Sequence, residues 1–274
     1  MNIRKILPIL LSFILTASCN SKQKKIDSIE RQLNETGEMI QAGQLNAAKH
    51  LLNSIDSLSP NLAGIRRKSN FYRNKIENIE THRELLYLDS MILTKQKLLD
   101  SVGQNFVLEK RYQIQYAGNY THKLQLPEIK AQKTYLKASV SENGELFLTN
   151  TYFNKTPLGY ISLVVKTNDL FKESIQGNGA NSVSQVFDDG FYMREVVTFN
   201  SIAENGICEF IATYGKHPTT VTLIGKSTYR YRLDAQDIKA ISETWQFHLL
   251  IKELVNLKKN KTRAEYIIRQ TEQG

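Results

Sequence analysis

Five histidines, His50, His82, His122, His217 and His248, are the side chains best suited to proton transfer or metal ligation in this sequence. No two lie within four positions of each other, so no helix face can present a two-histidine metal pair. There is no His-Glu-x-x-His, no paired-cysteine zinc spacing and no Gly-x-Ser-x-Gly elbow. Gly177-Asn178-Gly179 is glycine-rich but lacks the lysine of a phosphate loop, and reads as a turn. No metal and no cofactor is implied.

Glycoside hydrolysis would need two carboxyl groups facing each other across a cleft, about 5–10 Å apart. Glu142, Glu145, Asp188, Glu195 and Glu209 are the acids available in the β-rich part of the chain. Asp188 and Asp189, just before Gly190, fit a hairpin tip and offer too few oxygens for calcium. Aromatics offer a different chemistry. Tyr112, Tyr116, Tyr120, Tyr152, Phe153, Tyr160, Tyr192, Tyr214, Tyr229 and Tyr231 fall in strand-like sequence. Exposed, they could stack on sugar rings or line a protein interface. Half-buried aromatics are also what strands prefer, and both readings stay open.

The first twenty residues carry a separate message. Arg4 and Lys5 precede an apolar run from Ile6 to Leu15, broken only by Pro8 and Ser12, and small residues lead to Cys19. This is the order of a secretory signal, and the run is about half the ~20 residues a spanning helix needs. Leu15-Thr16-Ala17-Ser18-Cys19 resembles the lipobox of bacterial lipoproteins. The resemblance covers this segment alone. It departs from the family in having Thr16 three residues before the cysteine, where leucine is preferred. It implies cleavage after residue 18, a diacylglycerol on the Cys19 sulfur and acylation of the new amine. Two or more acyl chains hold a protein on a membrane where one binds only marginally. Asn20, in place of the aspartate that retains enterobacterial lipoproteins at the inner membrane, leans toward the outer membrane. A composition rich in Asn, Lys and Ile resembles that of envelope lipoproteins from Bacteroidetes-like bacteria.

With Cys19 lipidated, Cys208 has no disulfide partner and reads as a small buried hydrophobe in an apolar run. The formal charge of +9 falls by two with the loss of Arg4 and Lys5. Lys22, Lys24 and Lys25 would lie close to anionic head groups. No aromatic-flanked basic motif supports nucleic-acid binding, so the charge is read as surface solvation and membrane proximity.

The elements that would carry these residues follow from periodicity. Ile26, Ile29, Leu33, Thr36 and Ile40 mark one helix face, ended by Gly43. A second helix is expected from Leu45 to Leu58, with Ala48, Leu51, Leu52, Ile55 and Leu58 inward, stopped by Ser59-Pro60. Gly37 to Asn61 resembles one tetratricopeptide-type repeat through Gly43, Ala47-Ala48, Leu51, Ile55 and Pro60. A lone unit cannot build a repeat array, so the pair reads as a helical hairpin. Leu62 to Val102 reads as one helix, or two joined near Glu80-Thr81, with a coiled-coil-like line through Ile79, Leu86 and Leu93.

From Asn105 the period changes to two. Strands are expected at Tyr112–Tyr116, Tyr135–Val140, Leu146–Phe153, Tyr160–Thr167, Val183–Phe187, Phe191–Phe199, Ile207–Tyr214, Thr220–Gly225 and Tyr229–Leu233. Asn143-Gly144 marks a hairpin turn. A final helix begins after Asp234, with Ile238, Ile241, Trp245 and Leu249 on one face.

The expected architecture is α+β: a signal peptide over 1–18, a helical hairpin or coiled-coil-like region over 19–104, an antiparallel sandwich or jelly-roll-like domain over 105–233, and a long carboxy-terminal helix over 234–274. The expected function is a membrane-anchored envelope lipoprotein whose β head, on a helical base, binds a protein or glycan without catalysis. A glycan-acting envelope hydrolase and a helix-mediated assembly protein are the alternatives.

Overall fold

The computed structural model describes residues 7–58, 62–110, 118–126, 132–188 and 190–273, without the side chains of 7–22 and 273. Pro60, the run Tyr112–Tyr116, Asp189 and the side chain of Cys19 lie outside these residues. The chain divides into two compact units, Met1–Leu88 with Asn260–Gly274, and Asp89–Lys259.

The first unit is helical. Helix α1 spans Leu7–Gln41, α2 Leu45–Leu58 and α3 Ala63–Gly103, of which the part up to Leu88 belongs here. Ile29, Leu33 and Ile40 of α1 meet Leu45, Ala48, Leu52 and Ile55 of α2 and Ile65 and Ile76 of α3 in one apolar cluster. Truncating a fully buried residue such as Leu52 to alanine costs about 2–5 kcal/mol. Gly43 ends α1 with φ +75°. Its N–H donates to the Ile40 carbonyl and that of Gln44 to the Met39 carbonyl, the paired bonds that close a helix on a left-handed residue. Leu58, expected inward, is 49 % exposed. Helix α3 is continuous through Thr81. Its buried line runs through Ile65, Ser69, Ile76, Thr81 and Leu88, so the spacing Ile79, Leu86, Leu93 is not a buried seam.

The second unit is mixed helix and antiparallel sheet. Strands β1 (Phe106–Glu109), β2 (Asn119–His122), β3 (Tyr135–Ser141), β4 (Leu146–Asn154), β7 (Ser182–Asp188) and β8 (Met193–Phe199) form a six-stranded sheet in the order β1-β2-β3-β4-β8-β7. Strands β5 (Ser162–Thr167), β6 (Leu170–Glu173), β9 (Thr219–Ile224) and β10 (Thr228–Arg232) form a four-stranded sheet in the order β10-β9-β5-β6. The long helix α5 (Ala235–Gln273) closes the chain. One apolar cluster draws Leu136, Leu148 and Phe199 from the first sheet, Leu163, Val221 and Leu223 from the second, and Ile241 from α5. The chain is thus α+β.

Two local expectations are corrected. Ile207–Tyr214 is not a strand but a two-turn helix, α4. Its apolar residues Ile207, Phe210, Ile211 and Tyr214 have helical spacing as well as strand-like composition. Glu204 decides between them, because its carboxylate accepts the N–H groups of Gly206 (3.0 Å) and Cys208 (3.0 Å) at the helix start. Strands β2 and β6 lie outside the expected runs, and β6 is the one that lengthens the second sheet. It returns along β5 through Asn168, which takes φ +50° in the turn.

Candidate functional site

Two of the three tyrosines singled out from sequence are core residues. Tyr160 is 2 % exposed and Tyr152 5 %. The Tyr160 hydroxyl donates to the Asn150 carbonyl at 2.7 Å and accepts from the Asn150 amide at 3.1 Å. The Tyr231 hydroxyl donates to Asn150 Oδ1. Burial pushes the Tyr160 and Tyr231 phenols well above their ordinary range. Tyr152 packs edge-on against Tyr229 and accepts from the Asn154 amide. These rings hold the core together and offer no face to a ligand. Their position, Tyr152 on the inward side of β4 and Tyr160 in the connection just before β5, is what removes them from the surface.

Tyr192 lies elsewhere. It is 41 % exposed and stacks on Phe153, with centroids 4.9 Å apart and planes at 23°. The rest of that face follows from the ladder. Glu195, Val197 and Phe199 of β8 are buried, so Arg194, Val196 and Thr198 face the opposite side. The registers set Phe187 of β7 and Phe153 of β4 on either side of Arg194. Phe187 is 54 % exposed, and Phe191 in the turn beyond it 85 %. A row of aromatic, guanidinium and aromatic groups thus crosses three strands on the outer face, with Tyr192 over one end. Such a surface can stack on planar or apolar ligand faces while arginine hydrogen-bonds to carboxylate or hydroxyl oxygens. It carries no nucleophile or general base. Phe153 is among the aromatics named from sequence, whereas Phe187 and Arg194 are not. The alternation of Met193–Phe199 held the signal for Arg194, but only strand order brings the three together.

The candidate carboxylates are dispersed, and Glu195, Glu142 and Asp188 are engaged. Glu195 is 2 % exposed, and its two oxygens accept the N–H groups of Leu158 (2.8 Å), Gly159 (3.0 Å) and Tyr160 (3.2 Å). It pins the connection between β4 and β5. Glu142 accepts the Gly118 N–H at 2.7 Å and pairs with Lys110 at 3.0 Å, and these two contacts hold its carboxyl below the usual range. The cleft beside it, walled by Leu99, Tyr120, Ile251 and Leu254, has no second carboxylate among the described residues that line it. Asp188 accepts the Gly190 N–H at the hairpin tip, while Glu145 and Glu209 are exposed.

His122 is a structural pin rather than a free base. Its Nδ1 accepts from the Leu124 N–H, and its Nε2 lies 2.8 Å from Glu243 on α5. The Cys208 thiol is completely buried, and burial pushes it up, with Glu204 adding to the effect. Among the described residues no group of three His, Cys, Asp or Glu side chains could hold a metal ion. Among those same residues no helix is long and apolar enough to cross a membrane. No family model, no curated protein and no solved structure matches the chain.

Proposed function

We propose that this protein is a lipid-anchored component of a bacterial cell envelope, held by acyl chains on Cys19, whose sheet-bearing unit binds a protein or glycan ligand without catalysis. The observation that carries the binding role is the outer-face row of exposed Phe187, Arg194 and half-buried Phe153 with Tyr192 stacked on its end. A monomer rarely leaves so many large apolar groups together on one face unless something meets them. Two observations weigh against the hydrolase alternative: Glu195 is sealed in the core, and Glu142 has no acidic partner in its cleft among the described residues. The single apolar cluster shared by both sheets favours a sandwich-like head. Asn20 favours the outer membrane.

The anchor and the surface are tested separately. The Cys19→Ala chain should remain uncut or leave the membrane fraction, and normal processing with full membrane retention would sink the anchor. Phe153→Ala with Tyr192→Ala should abolish recovery of the envelope ligand that the unaltered protein retains. Equal recovery by both proteins would remove this face as the binding site. Assembly through the helices keeps one supporting observation, since Leu86 of α3 is 73 % exposed and Tyr87 61 %. Cross-links formed through α3 rather than through the sheets would favour it.

A further inference from the structure

Strand β7 ends the six-stranded sheet, and among the described residues no strand pairs with its outer edge. Every residue from Val183 to Asp188 is exposed, including Val183 (59 %), Val186 (51 %) and Phe187 (54 %). Edge strands in folded proteins are ordinarily blunted by lysine, proline, a bulge or a covering segment. This one has a regular register along its whole length, and no Lys, Arg or Pro stands between Lys172 and Arg194 in a chain with 36 Lys and Arg. The edge is left able to pair.

The ladder shows which groups are on offer. The Asn200 N–H donates to the Asn181 carbonyl at 3.0 Å, and these residues are opposite one another when the register of β7 and β8 is extended by one pair. Odd-numbered residues of β7 therefore direct their backbone groups at β8. Ser182, Ser184, Val186 and Asp188 direct theirs outward.

We propose that this edge pairs antiparallel with β7 of a second copy of the chain, about a two-fold axis at Gln185. This rests on reading the β7–β8 hairpin as the binding surface, and it names the partner. In that register all four outward-facing residues exchange backbone hydrogen bonds, Ser182 with Asp188 and Ser184 with Val186 of the other copy. On the outer face Val183 meets Phe187, and the two Gln185 amides meet each other. The one charge on the strand, Asp188, meets the Ser182 hydroxyl, so no like charges oppose each other. The strand is complementary to itself, as a two-fold interface requires.

The test uses the full chain in its membrane. In the proposed register the two Gln185 positions form a non-hydrogen-bonded pair with Cα atoms about 4.5–5.5 Å apart, within disulfide reach. The two Val183 positions are four residues out of register, about 14 Å apart, and out of reach. Cys208 is buried and does not compete. Under mild oxidation Gln185→Cys should give a dimer at least several-fold more abundant than Val183→Cys gives. Adding Ser184→Pro should abolish it, because the proline removes an outward N–H and leaves the bonds to β8 intact. Equal dimer from both cysteine variants, or dimer that survives Ser184→Pro, overturns the proposal. A Gln185→Cys adduct of another mass, without dimer, overturns the second copy but keeps the hairpin as a binding surface. No adduct of any kind overturns the second copy and leaves the aromatic row to the Phe153→Ala and Tyr192→Ala test.

Discussion

Replacing Glu195 tests whether a single buried carboxylate organises the connection between the two sheets. Its oxygens accept three backbone N–H groups, from Leu158, Gly159 and Tyr160, and the Leu158 and Tyr160 amides are in buried surroundings. Hydrogen bonds to a charged group contribute about 1.5–3 kcal/mol each, and an orphaned buried donor costs about 1–3 kcal/mol. The three bonds share one group and are not additive. Glu195→Ala should therefore lose about 3–5 kcal/mol, within the range found when one partner of a buried charged contact is removed. Glu195→Gln separates charge from geometry. Its carbonyl oxygen can keep Leu158 and Gly159, while its amino group opposes the Tyr160 N–H, donor against donor. Its loss should be smaller, about 1–3 kcal/mol. Urea unfolding followed by circular dichroism reads both values. At about 2–4 °C per kcal/mol the alanine variant should also melt roughly 6–20 °C lower. A loss under about 1 kcal/mol for Glu195→Ala, or equal losses for the two variants, would refute the clamp.

Three other outcomes follow from buried groups and turns. Burial lowers the His248 pKa, and the Lys252 charge adds to the effect against the Gly144 carbonyl. The unfolded state then takes up the proton first, so stability is full above about pH 6.5 and falls below it. His248→Leu should shrink the difference between urea midpoints at pH 7.5 and 5.5, and an unchanged difference would exclude this histidine. Cys208 should react with a maleimide only as the second unit unfolds, so rapid labelling under native conditions would contradict its burial. Gly144 has φ +81°, and an added Cβ would lie 3.3 Å from Ile251 and 3.4 Å from Lys252. Gly144→Ala should cost about 1–2 kcal/mol in the same unfolding measurement, and a neutral result would mean that the turn relaxes freely.

The helices were the most legible part of the sequence. Leu45–Leu58 is bounded by local signals, Gly43 before it and Ser59-Pro60 after it, and local signals need no partner. The hairpin of β3 and β4 was legible for the same reason, through Asn143-Gly144 between two alternating runs. What failed depended on distant residues. Ile207–Tyr214 fits either period, and the capping carboxylate that settles it belongs to Glu204, outside the run. Tyr152 and Tyr160 read as surface candidates because alternation says which residues share a face but not which face is covered. That depends on Asn150, Tyr229 and Tyr231, brought in by pairing across two sheets. Glu195 counted as a catalytic candidate by type, and only the fold shows its oxygens taken by the backbone. The aromatic row as a unit had no linear signature, since Phe153, Phe187 and Arg194 become neighbours through strand order alone.

The division of the chain into units bears on how it must be made. The first unit uses residues up to Leu88 and then Asn260–Gly274, where Ala264 and Ile268 are buried and Thr271 accepts a hydrogen bond from the Asn78 amide. A chain emerging from its amino end therefore exposes part of that helical core until its last residues arrive. Closing the gap through a loose coil would carry an entropy that grows with the logarithm of its length. If Asp89–Lys259 folds first, the coil is replaced by a structured connector whose ends are set by α3 and α5. In that order the helices of the first unit are completed last, and an interruption in synthesis before Asn260 leaves them unsealed.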